Sequence, residues 1–187
     1  ARQDRQDRLE RRLHRFDVGL VPIVWFGCAA YALCYAALSL LRFSTFHAQI
    51  DLSYYIRIVW GLAHAQYDVP LVASPNLIGL HAEPILIPFA VLARIGLPIA
   101  QLLLITQALA VSLLPIPLYR FAKRKLGSDR VAQILSLGSL LYPTVTVATL
   151  HDFHPVTLAL PSLAAFLDAI DEKALRRAFL FGFLSVC

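Results

Sequence analysis

Long apolar runs alternate with short charged segments along the whole chain. The first run, residues 18–41, contains no charged side chain, and its roughly 24 residues, at about 1.5 Å of helical rise each, can cross a hydrocarbon core of about 30 Å. Further runs predict transmembrane helices at about 98–121, 130–149 and 155–170. We expect residues 175–187 to be an incomplete span, in either a fragment of a longer protein or a truncated copy. The pattern predicts an all-α, polytopic membrane helical bundle over residues 18–187.

Residues 1–17 follow a different pattern, because their charged side chains outnumber the apolar ones. Leu9, Leu13 and Phe16 recur at helical spacing, which predicts a narrow apolar stripe on a charged helix. We expect an amphipathic segment on the cytoplasmic leaflet. A solvated helix that leads into the membrane explains the same residues equally well.

The loop over residues 42–97 is too long for a simple turn, and loops of this length usually carry function. Within it Leu52, Tyr55 and Val59 recur at helical spacing, which predicts an amphipathic helix in the outer membrane interface, anchored by Trp60. Residues 85–97 are too few to span a membrane. They predict a second juxtamembrane or re-entrant helix.

Composition supports the membrane class and argues against a polyanionic partner. Of the 187 residues 58% are hydrophobic and 16% charged, with a mean hydropathy of +0.65, which is far more apolar than a soluble domain. The net charge is +5 and the pI about 9.4, but the basic residues form short clusters and no continuous face, so nucleic acid is excluded as a partner. The expected partner is the lipid bilayer.

The basic clusters predict the orientation of the bundle. Arg2–Arg15, Arg120–Arg130 and Lys173–Arg177 hold 14 of the 17 lysines and arginines, and positively charged short loops stay on the cytoplasmic side. The amino terminus is therefore expected in the cytoplasm. Five of the six histidines lie in the opposite segments and are expected to face outward.

Three outward segments carry ionisable groups where the backbone returns to the membrane. They contain the candidate site residues Asp51, His81, Glu83, His151, Asp152 and His154. Asp51, Glu83, Asp152 and His154 are each equally well explained alone as part of a helix start, because carboxylates are common caps and the residue after Glu83 and after His154 is a proline. Their convergence on one face favours a functional site, since ionisable groups at membrane depth are costly.

The chemistry open to these residues is broad. Carboxylates and imidazoles can act as a general base, as metal ligands or as phosphate partners. The histidine and cysteine spacings match no zinc motif, so we do not expect a divalent metal or another cofactor. Arg57 and Arg94 are candidates for pairing with a phosphate, although Arg57 is equally placed to reach lipid headgroups.

Five short motifs occur in an order that resembles a family of bacterial predicted multispanning membrane proteins of unknown function. The motifs are Asp51-Leu52 with Trp60-Gly61-Leu62-Ala63, His81-x-x-Pro84-Ile85-Leu86, Gln107-Ala108-Leu109 with Leu118-Tyr119-Arg120, Tyr142-Pro143, and Asp152-Phe153-His154-Pro155. The resemblance runs from about Arg42 to Arg177. It implies a protein of the bacterial cytoplasmic (inner) membrane.

That family is similar in turn to the GT-C glycosyltransferases, which take sugars from polyprenyl-phosphate carriers. This similarity implies a GT-C-like N-terminal half with two outer juxtamembrane helices and a lipid-linked sugar donor. By position Asp51 would be the general base. Glu83 or Asp152 would orient substrate, while His81, His151 and His154 would contact the acceptor or the carrier phosphate, and Arg57 would pair with that phosphate.

Three functions follow as hypotheses. The first is a membrane-embedded glycosyltransferase that acts at the outer face, and the alternative is a non-catalytic structural subunit that packs against other membrane protein subunits. A transporter is the third, suggested by helices broken near prolines. The first hypothesis makes a geometric prediction: Asp51 lies within direct or one-water reach of Glu83 or of the His151–His154 turn. A mere cap would bond only to the amides of Ser53 or Tyr54.

Overall fold

The computed structural model describes residues 22–47, 50–66 and 83–186 of the chain. Within these ranges all regular structure is helical, and no strand occurs, which confirms the predicted all-α class. The α-helices are α1 (Pro22–Ser44), α2 (Ile50–Ala63), α3 (Ile87–Arg94), α4 (Ile99–Ser112), α5 (Pro115–Leu126), α6 (Asp129–Leu140), α7 (Pro143–Leu150), α8 (Pro155–Asp171) and α9 (Leu175–Val186), and a 3-10 turn, Pro84–Leu86, precedes α3.

Two segments are long and apolar enough to cross a membrane by themselves. One is α1, with 23 residues, and the other is the 28-residue segment Ile99–Leu126 that α4 and α5 form together. Its two helices are separated by a turn at residues 113–114, directly before Pro115. A proline cannot donate a backbone hydrogen bond to the preceding turn, which explains why the helical pattern is interrupted at this point.

The predicted continuous span over residues 130–149 is divided in the structure. The axes of α6 and α7 differ in direction by 42°. Only the two helices together are long and apolar enough to form one span. Tyr142 at the break is extended (φ −64°, ψ 125°), because the residue before a proline avoids the helical region. Helix α8 has 17 residues, or about 25 Å, which is short of a full crossing.

Helix α1 packs antiparallel to the segment formed by α4 and α5, and the two are in contact at two levels along their length. Near one end Val24 of α1 packs against Tyr119 of α5, and farther along Tyr31 of α1 packs against Val111 of α4. The Tyr31 hydroxyl also lies 2.8 Å from Oγ1 of Thr149. This buried hydrogen bond ties the end of α7 to the first span.

Both short helices predicted in the loop over residues 42–97 are present. They pack with the amino-terminal half of α4 into one apolar cluster, which includes Leu52, Val59, Leu86, Phe89, Leu103, Leu104 and Phe153. Arg94, the last residue of α3, donates from Nη1 to the carbonyl oxygen of Ala63 at 2.6 Å, so the carboxyl ends of α2 and α3 lie together. The guanidinium expected to meet a phosphate instead caps a helix end, where a cation is favoured.

Ion pairs join α5 to the carboxyl end of α8. The carboxylate of Asp168 is buried and lies 2.6 Å from Nη2 of Arg124, while Glu172 pairs with both Arg124 and Arg177. The two basic clusters in the described part of the chain therefore share acidic partners at one end of the bundle. Asp168 lies 14 residues after His154, or about 20 Å along α8, so the histidine turn is at the other end.

Candidate functional site

The turn between α7 and α8, residues 151–154, presents two side chains inward and two outward. Asp152 and Phe153 are buried, whereas His151 and His154 are partly exposed. His154 is extended (φ −134°, ψ 120°), and Pro155 follows as the first residue of α8. Proline suits that position because its missing N–H is not needed there, and it forces the preceding histidine out of the helix.

Gln107 holds this turn in place from the middle of α4. Its side chain is fully buried, and Nε2 donates to the carbonyl oxygens of Thr149 and Asp152 at 3.2 and 3.3 Å. Its Oε1 accepts from the amide of His154 at 2.8 Å and from the hydroxyl of Thr157 at 2.9 Å. One side chain thus satisfies backbone groups that the break between α7 and α8 leaves without helical partners.

Sequence reasoning did not select Gln107 as a site residue. The signal was present, since an amide in the middle of an apolar span is as unusual as a charge. The sequence indicated Gln107 only as the first residue of the motif Gln107-Ala108-Leu109. Its role depends on residues of α7, α8 and the turn between them that lie more than 40 positions later in the chain.

Asp152 connects the turn to the start of α2. Its carboxylate is 3% exposed, and Oδ2 accepts from the backbone amide of Leu52 at 3.1 Å. The amino-terminal amides of a helix lack partners within the helix and attract negative charge. Asp152 therefore caps a helix 100 residues away in sequence and fixes the position of its neighbour Asp51.

Asp51 and His154 meet as predicted. Oδ2 of Asp51 lies 3.3 Å from Nε2 of His154, with 44% and 35% of their side chains exposed. Among the described residues, the Asp51 carboxylate makes no hydrogen bond to the amides of Ser53 or Tyr54. The geometric prediction is thereby confirmed, and capping of its own helix does not explain the position of Asp51.

Both ring nitrogens of His154 face hydrogen-bond acceptors. Nδ1 lies 2.9 Å from the carbonyl oxygen of Asp152, and Nε2 faces the Asp51 carboxylate. A neutral imidazole carries only one N–H. The ring therefore satisfies both neighbours when both nitrogens carry hydrogen, or when a cation stands between Nε2 and the carboxylate.

His151 completes a group that we call the outer cluster: Asp51, His151 and His154. One ligand atom from each residue lies within 4.8 Å of the other two, and the two imidazole rings have their centroids 5.5 Å apart. Motif spacing could not reveal this group, because its carboxylate and its histidines are about 100 residues apart.

Glu83 reaches the same region through Tyr55. The Tyr55 hydroxyl donates to Oε1 of Glu83 at 3.4 Å, and the Tyr55 ring lies 6.4 Å from that of His154. Burial raises the pKa of Tyr55, and the nearby Glu83 carboxylate adds to the effect. The phenol therefore stays neutral and remains a hydrogen-bond donor beside the outer cluster.

The remaining candidates stand apart from the outer cluster. Arg57 is exposed on α2. It lies six residues after Asp51, so its side chain points about 240° around the helix axis from that of Asp51. His64 stacks on Trp60 with ring centroids 4.4 Å apart and bonds to the Trp60 carbonyl oxygen, so its contacts stay within its own helix. His81 lies outside the described residues.

A cavity of about 250 Å³ lies near the other end of the bundle, between α5, α8 and α9. Arg120, Asp168 and Arg177 contribute to its lining. The two arginines already pair with Asp168 and Glu172, so their charge is compensated. The outer cluster is the stronger candidate site.

Residues 20–185 match the model of a family described as predicted membrane protein (DUF2079). The chain belongs to this family. The function of the family is unknown. The match covers every described helix except the last residue of α9. It confirms the resemblance to a membrane protein family of unknown function, and it makes the lipid bilayer the expected surroundings of the chain. No curated protein and no solved structure matches the chain.

Proposed function

We propose that this family member acts at the outer face of the bacterial cytoplasmic membrane as a glycosyltransferase-like protein with a lipid-linked sugar donor. The observation that carries the proposal is the contact between Asp51 and His154, at 3.3 Å and partly open to solvent. A carboxylate positioned by an imidazole is a recurrent arrangement for moving a proton.

The position of the outer cluster supports a reaction at the membrane boundary. Gln107, which binds the histidine turn, lies eight residues into α4, or about 12 Å from the first residue of that helix. The cluster is therefore recessed below the end of the span, beside α2 and α3. A lipid-linked donor needs such a position, since its carrier stays in the bilayer while its sugar reaches water.

In the proposed reaction Asp51 removes the proton from an acceptor hydroxyl. The acceptor oxygen attacks the anomeric carbon of the sugar, the bond from that carbon to the carrier phosphate breaks, and the configuration inverts. The polyprenyl phosphate leaves with the bonding electrons. The Asp51 side chain is 44% exposed, so an acceptor hydroxyl can reach its carboxylate.

The other site residues have supporting roles in this proposal. His151 and His154 contact the acceptor or the carrier phosphate, as does His81, and Glu83 orients the substrate from its contact with Tyr55. Asp152 orients it indirectly, because it fixes the start of α2. Arg57 would meet the phosphate only from the exposed side of that helix. No cofactor other than the lipid-linked donor is needed.

The test is release of polyprenyl phosphate from a set of polyprenyl-phosphate sugars by the full-length protein in proteoliposomes. Asp51→Asn should lower the rate at least about 100-fold, which is the usual contribution of a general base. Folding should be unchanged, since asparagine suits a helix start as well as aspartate does.

Asp129→Asn is the matched control, because this exposed carboxylate begins α6 near the opposite end of the bundle. It should leave the rate unchanged. Full activity of Asp51→Asn would contradict the proposal. A protein that releases no phosphate from any donor, yet supports assembly of its partners with Asp51→Asn in place, would instead fit a structural subunit.

A further inference from the structure

We infer that the outer cluster, Asp51, His151 and His154, binds one divalent first-row transition metal ion of the Zn²⁺ type. The inference goes beyond the proposed glycosyl transfer and does not depend on it. It also replaces the expectation drawn from motif spacing, because the ligand set is assembled by the tertiary fold.

The distances suit a small cation. Ligand atoms at about 2.1 Å from a tetrahedral ion are about 3.4 Å from one another. Oδ2 of Asp51 and Nε2 of His154 already meet this at 3.3 Å, and His151 offers a ring nitrogen within 4.8 Å of a ligand atom of each of the other two residues. Rotation of one partly exposed imidazole closes the remaining gap.

The surroundings of His154 match those of a metal ligand. A histidine that binds a metal through one nitrogen usually donates its other N–H to a carbonyl or carboxylate, which fixes the ring. Nδ1 of His154 lies 2.9 Å from the carbonyl oxygen of Asp152, so Nε2 is aimed at Asp51. A neutral ring can donate to only one of its two neighbours, the Asp152 carbonyl oxygen and the Asp51 carboxylate. A cation bound between Nε2 and the carboxylate removes the need for a second N–H.

One residue, Asp152, fixes the position of Asp51 relative to His154. The Asp152 carbonyl oxygen orients His154, while its carboxylate binds the Leu52 amide beside Asp51. Asp152 is buried. The cation would therefore enter a preorganised site between α2 and the histidine turn.

The ligand types select the kind of metal. Two imidazoles and one carboxylate suit zinc and its first-row neighbours, whereas magnesium and calcium prefer oxygen ligands alone. Three protein ligands leave a fourth position open, as in catalytic zinc sites. All three side chains are partly exposed, so water or a small ligand can reach that position.

The test measures metal binding by the full chain, purified in detergent through a histidine-free tag and stripped with a chelator. Zn²⁺ titration by calorimetry should show one ion per chain, and Co²⁺ should give the visible absorption of a four-coordinate site. His151→Ala and His154→Ala should each weaken binding at least tenfold, since even loss of an outer partner of a ligand costs that much.

His64→Ala is the matched control, because this exposed imidazole stacks on Trp60 and bonds to its carbonyl oxygen, and within the described residues it makes no contact with the outer cluster. It should bind Zn²⁺ like the parent protein. His154→Gln serves as a second variant, and thermal unfolding without metal verifies that each variant is folded. Absence of stoichiometric Zn²⁺ binding, or equal loss in His64→Ala, would overturn the inference and leave a metal-free Asp51–His154 pair.

These results are independent of the transfer assay. Zn²⁺ binding that depends on both histidines supports the site even if Asp51→Asn has no effect on release of polyprenyl phosphate. Conversely, transfer that depends on Asp51 in a protein that binds no Zn²⁺ supports the proposed function and contradicts the metal site.

Discussion

Single side chains replace the backbone hydrogen bonds that are missing where helices end inside this bundle. Gln107 does so for the junction of α7 and α8, and Asp152 does so for the first turn of α2. Both are buried, where an unpaired polar group is costly. The positions of the reactive groups Asp51 and His154 therefore depend on residues that do not themselves face solvent.

Replacement of Gln107 by leucine tests this dependence. Gln107→Leu leaves the amide of His154 and the carbonyl of Thr149 without their partner, and each buried group of this kind costs about 1–3 kcal/mol. We expect the free energy of unfolding in detergent to fall by about 2 kcal/mol. The outer cluster should also lose its geometry. A thiol reagent should therefore react faster with His151→Cys when Gln107→Leu is also present than with His151→Cys alone.

Gln101→Leu provides the control for that measurement. Gln101 belongs to the same helix but is partly exposed, and it makes no side-chain hydrogen bond within the described part of the chain. Its replacement should leave stability nearly unchanged. Equal stability of the two variants would show that the buried amide does not hold the turn.

At the residue scale, the sequence identified the reactive groups better than their supports. Asp51 and His154 were found because ionisable groups beside apolar spans are unusual. The role of Gln107 could not be predicted, because its hydrogen-bond partners lie on elements whose mutual position no local pattern specifies. The partner of Asp152 was missed for the same reason, since it lies 100 residues away.

Pairs of helices are joined by different forces at the two ends of the bundle. Apolar contacts hold α2 and α3 on the first half of α4, whereas ion pairs join α5 to the end of α8. The buried carboxylate of Asp168 is tolerated there because Arg124, at 2.6 Å, and Arg120, at 3.6 Å, compensate its charge.

Removal of that compensation should loosen the contact between α5 and α8. Arg124→Ala leaves Asp168 without its closest cation, and a broken buried pair costs about 3–5 kcal/mol. Because Arg124 is partly exposed, we expect a smaller loss of about 2 kcal/mol, measured as the midpoint shift in denaturant.

Arg130→Ala is the matched variant, as Arg130 belongs to the same basic cluster but is exposed. Its loss should change the midpoint little. A destabilisation of the same size in both variants would mean that net charge, and not the contact with Asp168, determines the effect.

At the element scale, the length of the apolar runs predicted α1 and α8, and helical periodicity predicted α2. Neither pattern predicted the division of the segment 130–149, because Pro143 lies within a run that carries no charged residue after Arg130. The break depends on the preceding Tyr142, whose extended conformation follows from local sterics. Apolar patterns specify where a helix can be buried, and single prolines decide where it stops.

The whole molecule is a bundle with chemically different ends. The basic residues of Arg120–Arg130 and Lys173–Arg177 gather at one end with acidic partners, and the outer cluster lies about 20 Å away along α8. The sequence predicted this separation from charge clusters alone. The first basic cluster, Arg2–Arg15, lies outside the described residues, so its side of the membrane stays a prediction.

The orientation of these two ends is the most direct test of the account. In a background with Cys28, Cys34 and Cys187 replaced by serine, His154→Cys and Arg130→Cys are exposed to a membrane-impermeant thiol reagent added outside intact cells. We predict labelling at position 154 and none at position 130 until the membrane is permeabilised, because positive loops stay in the cytoplasm. Labelling from outside at position 130, with position 154 protected, would contradict an outward-facing site.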